Sequence, residues 1–225
     1  MRQYDFRRYA AQLGGRYAPP GGEKELDPKE TTRAKAFRLW MNSPMPMVTL
    51  TKTFDVTRLC KASRRRGLKF NMLLCWCVGK AASRIEEFYL SPQNGKLYKY
   101  DRLVINIVVE NIKGELCFCD IAVTDDLERF NADYIHLTKT TSQTCQDFLD
   151  DDAAKVGTSA VTGTELDCIV NQYGVINNPF LAWGKYRKSW LKTTLPISFQ
   201  FHHVQMDGGH VCRFLNNLQD EINRL

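Results

Sequence analysis

The chain has 225 residues, of which 44% are hydrophobic, and carries a net charge of +6 from 31 Lys and Arg against 25 Asp and Glu. That length suffices to bury a core in one α/β domain or at most two small ones, and the ordinary globular composition excludes disordered, collagen-like and low-complexity classes. The basic excess attracts anions only weakly; because the cations are scattered and do not interleave with aromatics, no nucleic-acid partner is expected.

Residues 1–27, with Gly14-Gly15 and Pro19-Pro20-Gly21-Gly22 among many charges, read as a loosely held N-terminal arm, and residues 28–225 as a single domain. The opening MRQYDFRRYAAQLGG lacks the continuous apolar core of a secretory leader. The longest apolar stretch, around Phe70 to Gly79, is too short to cross a bilayer, so the expected location is cytoplasmic, with no membrane partner. The spacing predicts a helix over 27–42, where Pro28 lies near the start and Arg33, Phe37 and Trp40 share one face, so that an arginine sits in the apolar stripe. Met47 to Val56 is rich in β-branched residues and reads as a strand, followed by helices over 57–65 and 70–86 joined by Arg64-Arg65-Arg66.

Strands are predicted at Leu97 to Tyr100, Leu103 to Glu110 and Leu116 to Val123, the last two linked through Lys113-Gly114. A helix is expected over Thr140 to Asp152. The small, polar, aperiodic run 154–165 reads as a loop, with a strand near Leu166 to Tyr173 and a short strand before Gly184. From Thr193 to His203, Leu195, Ile197, Phe199 and Phe201 alternate with Pro196, Ser198, Gln200 and His202, which is a strand pattern. Val211, Phe214, Leu215, Leu218 and Ile222 then mark one apolar face of a helix opened by Asp207-Gly208-Gly209.

The eight cysteines lie mostly in apolar runs, which suits free thiols in a reducing compartment. Cys75-Trp76-Cys77 and Cys117-Phe118-Cys119 have C-x-C spacing, shorter than paired zinc ligands use, and no metal is expected there. Three of the four histidines crowd into HHVQMDGGH, His202 to His210. Adjacent strand residues point to opposite faces, so His202 and His203 do not readily share one ion. Alternation puts His203 on the side of Phe201 and predicts that it is the buried one of the two. A neutral imidazole facing a cleft is the usual general base near neutral pH. Asp207, four residues on, either orients that histidine or caps the following helix; an ordinary strand-end histidine with an N-cap aspartate remains the alternative.

The run from Leu195 to Gln219, with its HHxxxDG core, resembles the C-terminal signature of chloramphenicol acetyltransferases. The same core occurs in lipoyl acyltransferases and condensation enzymes, on longer chains. Arg33-x-x-x-Phe37, Pro179 to Tyr186 (PFLAWGKY, against P-x-x-x-x-G-K-Y) and the element order from 28 to 86 extend the resemblance over about residues 26–225.

The resemblance implies an α/β two-layer sandwich, a mixed or antiparallel sheet with helices on one side, assembled as a homotrimer. It implies an antibiotic-resistance transferase that moves an acetyl group from acetyl-CoA to a hydroxyl of chloramphenicol or a similar small molecule. His203 would be the base, Asp207 would pair structurally with Arg33, Lys185 and Tyr186 would lie near the coenzyme, and Trp40 would line the acceptor pocket; no metal is implied. Arg64 to Arg66 read as a solvated basic turn or as an attractor of CoA phosphates. The family's oxyanion serine, in an S-A-x-P-W segment, has no match; Thr158 and Ser159 are the nearby hydroxyls. Gly209 stands where the family has an aromatic residue. A different acceptor, or a catalytically impaired trimeric binding protein, are the competing expectations.

Overall fold

The computed structural model describes residues 23–171 and 177–225. Strand β10 (Thr193–His202) lies inside its main sheet, and its alternation decides how the layers stack: Leu195, Ile197, Phe199 and Phe201 all enter one apolar core. Counting along the chain, β1 (Lys24–Leu26) is followed by a 3-10 turn (Pro28–Glu30), α1 (Ala34–Trp40), β2 (Met47–Asp55), α2 (Thr57–Arg66) and α3 (Phe70–Ala82). After a second 3-10 turn (Glu86–Tyr89) come β3 (Leu90–Gln93), β4 (Lys96–Lys99), β5 (Leu103–Glu110), β6 (Leu116–Ala122), α4 (Leu127–Thr144), β7 (Ala154–Ala160), β8 (Phe180–Trp183), β9 (Arg187–Lys188), β10 and α5 (Gly208–Asn223).

The main sheet runs β2-β10-β8-β7-β5-β6, with β9 also on β10, and it is mixed: β7 pairs parallel with both β5 and β8 while the other ladders are antiparallel. Residues of α2, α3, α4 and α5 fill the core on the face that carries Ile105, Cys119, Val156 and Phe199. The opposite face is polar. There the enclosed Asp120 carboxylate takes hydrogen bonds from Asn106 Nδ2 (2.6 Å), Lys155 Nζ (2.6 Å) and the Asp150 amide (2.8 Å), tying three strands together.

A three-stranded sheet, β1-β4-β3, closes the molecule beside α1. The turn between β3 and β4 places Asn94 and Gly95 at φ 50° and 76°, the left-handed pair that a two-residue hairpin needs. Of the segment expected as an arm, residues 1–22 lie outside the described residues and Lys24–Leu26 pair with β4.

Three expectations need correction. The helix placed at Thr140 to Asp152 is α4, starting much earlier: Asp126 caps it by accepting from the amides of Glu128 and Arg129, Phe130, Tyr134, Leu137 and Thr141 are its buried face, and Cys145 at φ 55° ends it. The run read as a loop contains β7, the strand between β5 and β8. Its low apolar content conceals a position fixed by backbone ladders on both edges, and Gly157 leaves room for the Phe180 ring, which an added Cβ would meet at 2.4 Å. The strand expected near Leu166 to Tyr173 is absent over 166–171, and residues 172–173 lie outside the described residues. The amide of Ile169 instead donates to Ser198 Oγ (2.8 Å), and the Asn171 carbonyl accepts from Gln200 Nε2 (2.9 Å), so this segment crosses the polar face as an irregular cover.

Candidate functional site

At the end of β10 the chain folds back on itself, the His202 carbonyl accepting from the amides of Gln205 (2.9 Å) and Met206 (3.1 Å) before α5 begins. The Arg33 guanidinium lies beneath this turn and is 4% exposed. Its Nε donates to the Val204 carbonyl (2.8 Å), Nη2 to the His203 carbonyl (3.1 Å) and Nη1 to Asp207 Oδ2 (2.9 Å). One planar cation thus holds both ends of the turn, which explains a buried arginine at the N-cap of α1, in line with its apolar face: its charge is neutralised and its donors are used. Although desolvation opposes it, the Arg33 hydrogen bond, aided by His210, keeps the Asp207 carboxyl below its ordinary range.

The His203 amide donates to the Pro46 carbonyl (2.8 Å), so its main chain is held on both sides. Its ring lies flat against Trp40, with centroids 4.8 Å apart and planes 7° from parallel, and meets Phe201 edge-on at 6.4 Å. Nδ1 is enclosed, and neither ring nitrogen has a hydrogen-bond partner among the described residues. His203 keeps the side predicted for it, against Phe201, but it is half-buried; His202 is the enclosed histidine, at 1% exposure. Two-residue alternation ends where the strand ends, and the turn lifts the second imidazole to the surface. Burial, with the neighbouring His203 charge, pushes His202 down to about 4, and its Nδ1 accepts from the Val204 amide at 3.1 Å. His202 is therefore a neutral structural acceptor.

His210 extends the chain of contacts. Its Nδ1 lies 3.2 Å from the Asp207 amide nitrogen and 2.9 Å from Asp207 Oδ1, and its Nε2 lies 2.9 Å from Glu87 Oε1, so the ring is held between two carboxylates. A path then runs from Glu87 through His210, Asp207 and Arg33 to the main chain of His203. The sequence reading assigned neither His210 nor Glu87 a role. A polar residue three positions after the N-cap aspartate was the local signal for His210; Glu87 carried none.

Lys185 and Tyr186 are not part of this cradle. With Lys69, Phe70, Asn71 and Tyr134 they line a separate concavity at the start of α3. Phe70 and Tyr186 meet at 5.1 Å and 43°, and Lys188 Nζ sits 5.6 Å over the Tyr186 ring. Gly184 allows the approach, since a Cβ there would come within 2.8 Å of the Thr164 carbonyl. Lys69 and Phe70 escaped the sequence reading because only the fold brings them beside the G-K-Y segment.

Of the two nearby hydroxyls, Thr158 Oγ1 is committed on the core side, donating to the Asn106 carbonyl at 2.9 Å and lying 3.9 Å from Cys75 Sγ. Ser159 points to the polar face and has no hydrogen bond for its hydroxyl among the described residues. The C-x-C cysteines are packing residues: burial raises the Cys75 and Cys119 thiols to about 12 and Cys77 higher still, so they stay protonated. Among the described residues no cluster of His, Cys, Asp and Glu is arranged to hold a metal, and no helix is long and apolar enough to cross a membrane.

Comparison with known proteins places these features in one family. The profile described as chloramphenicol acetyltransferase matches residues 24–219. Chloramphenicol acetyltransferase 3 of Escherichia coli is 22% identical over 205 residues, covering 88% of this chain and 96% of the relative. A chloramphenicol acetyltransferase of Clostridium perfringens is 25% identical over 212 residues, covering 89% and 98%. A solved structure described as a chloramphenicol acetyltransferase superposes with a TM-score of 0.77 at 18% identity, covering 89% of this chain and 99% of that one, and so shares the fold.

Proposed function

The chain belongs to the chloramphenicol acetyltransferase family, a family of acyltransferases, and from that premise we propose that it transfers acetyl from acetyl-CoA to a hydroxyl of chloramphenicol or a similar small molecule, with His203 as general base. The observation that carries the reading is the His203 ring itself, fixed through its main chain and by Trp40 while both ring nitrogens are without a partner among the described residues. With the enclosed Nδ1 protonated, the Nε2 lone pair accepts the proton of the acceptor hydroxyl as its oxygen attacks the thioester carbonyl. The tetrahedral intermediate then collapses, the C–S bond breaks, and the CoA thiolate takes the proton back from the imidazolium. No acyl-enzyme and no metal enter this sequence.

Arg33 and Asp207 act as positioning residues for His203, Trp40 forms a wall of the acceptor pocket, and Lys185 with Tyr186 holds the coenzyme at the concavity shared with Lys69 and Phe70. Ser159, whose hydroxyl has no hydrogen bond among the described residues, is the donor to the oxyanion. It sits on the polar face of the sheet whereas His203 rests against Phe201 on the helix side, so the two would meet only across copies. That supports the proposed homotrimer, with each site completed by a neighbour. The functional unit is then residues 28–225 as one domain, preceded by 1–27, in a cytoplasmic protein.

Release of free CoA from acetyl-CoA, followed with a thiol reagent with and without chloramphenicol, tests the reading. Acceptor-dependent release is expected. Release only with another hydroxylated acceptor would replace chloramphenicol, and no release with any member of a broad acceptor panel would overturn the enzymatic reading in favour of a binding protein.

A further inference from the structure

The turn that presents His203 is gripped from two sides. Arg33 holds one side, through the His203 and Val204 carbonyls and Asp207 Oδ2. The second 3-10 turn and the first residue of β3 hold the other: Gln205 Nε2 donates to the Leu90 carbonyl at 2.5 Å, and Glu87 Oε1 lies 2.9 Å from His210 Nε2. The apolar residues of the turn follow the same division, Val204 packing with Leu90 and Leu97 in the small cluster and Met206 in the main core.

The two grips meet in one carboxylate. Asp207 Oδ2 lies 2.9 Å from Arg33 Nη1 and Oδ1 lies 2.9 Å from His210 Nδ1, so each oxygen is tied to a different side. Glu87, whose side chain is only 14% exposed, has His210 at 2.9 Å and Arg213 Nη2 at 4.0 Å, the limit of an ion pair. A carboxylate near the first turn of a helix is favoured by the helix dipole, which accounts for Glu87 beside α5. It does not account for a ring placed between that carboxylate and Asp207. Nor does α5 need the contact to stay docked, since Val211, Phe214, Leu218 and Ile222 are wholly buried. A carboxylate fixed at one oxygen swings about its broad terminal torsion, whereas one fixed at both holds its partners in a single geometry.

We propose that Glu87 and His210 are positioning residues for His203: they lock the second oxygen of Asp207, and so keep Arg33 and the main chain from which the His203 ring projects in the geometry that proton transfer requires. The inference rests on the acyltransfer reading given above and adds to it two residues that act through Asp207 instead of on the reacting atoms. Small displacements of a reacting group are costly in rate even when they originate at a distance. Removing such a brace therefore lowers kcat, leaves KM for acetyl-CoA, set at the separate concavity, unchanged, and is non-additive with loss of the residue it acts through.

The test is steady-state CoA release by the full chain, with an acceptor that supports release in wild type, for Glu87→Ala, Glu87→Gln, Asp207→Asn and the Glu87→Ala/Asp207→Asn pair, each checked by melting temperature. Glu87→Ala is expected to lower kcat about threefold to tenfold with KM for acetyl-CoA within about twofold of wild type, and Glu87→Gln, which keeps an oxygen facing His210, to recover part of the loss. In the Asp207→Asn background the effect of Glu87→Ala on kcat should disappear. Where Glu87→Ala does not fold, Glu87→Gln replaces it in the cycle, and where Asp207→Asn does not fold, His210→Gln supplies the background. A folded Glu87 variant with wild-type kcat, one that loses melting temperature without losing turnover, or one whose kcat falls by the same factor in both backgrounds would overturn the brace and leave the acyltransfer reading in place. Absence of CoA release from wild type with every acceptor would overturn both.

Discussion

The cradle around His203 and the concavity around Lys185 are built on opposite principles. In the first, most polar groups near the His203 ring are already engaged: Arg33 spends its donors on two carbonyls and Asp207, and the His203 amide is held by Pro46, while the His203 ring nitrogens and Gln205 Oε1 have no partner among the described residues. In the second, the cations Lys69 and Lys185 have no carboxylate partner among the described residues and stand beside aromatic rings. Pre-organisation suits a group that must meet a transition state in one geometry, because a fixed dipole or lone pair costs no reorganisation at reaction. Unsatisfied charge suits capture of a mobile anion. Mutations should therefore act on turnover at the first region and on coenzyme affinity at the second.

Several substitutions separate these roles. Removing the free hydroxyl, Ser159→Ala, is expected to lower kcat about 100- to 1000-fold, the usual cost of one oxyanion donor, while Thr158→Val, which removes a hydroxyl already given to Asn106, acts mainly on stability; steady-state kinetics with the reverse pattern would exchange the two residues. Arg33→Ala strands Asp207 and two carbonyls and should cost about 3 kcal/mol in urea unfolding. Arg33→Lys should restore only part of this, since a lysine cannot reach all three acceptors at once; an unchanged midpoint in the alanine variant would contradict the clamp.

His202 supplies a pH test. Its folded value of about 4 lies below the unfolded 6.5, so the unfolded chain binds the proton first as pH falls. The stability it contributes is whole above about 6.5 and is lost toward 4, by about 2 to 3 kcal/mol. His202→Gln should show a shallower acid loss than wild type in urea titrations at pH 7 and pH 4.5; parallel losses would contradict the assignment. Smallest of all, Lys185→Ala should raise KM for acetyl-CoA about threefold to tenfold, with no change if the concavity does not hold the coenzyme.

How far these regions could be read beforehand depended on what kind of order each carries. β10 and α5 each bury one face, so alternation in Leu195 to Phe201 and helical spacing in Val211 to Ile222 are written into the residues. β7 is held by neighbours on both edges and by Gly157 under Phe180, and nothing in AKVGTSA announces those neighbours. β3 is legible through its turn, for Asn94-Gly95 is a recognisable hairpin pair. At the cradle, Arg33 in an apolar stripe pointed to a carboxylate, and Asp207 lies at 2.9 Å. The exchange of burial between His202 and His203 was not legible, because a periodic pattern does not say where its strand stops. Ser159 and Thr158 could be told apart only by seeing which hydroxyl was already bonded.

The most direct measurement is the rate of CoA release at saturating acetyl-CoA and acceptor for His203→Ala against wild type, with melting temperature confirming that the variant is folded. A general base in this position predicts a fall of about 100- to 10,000-fold. A folded variant that retains more than about a tenth of the wild-type rate, below the contribution expected of such a base, would remove His203 from the reaction.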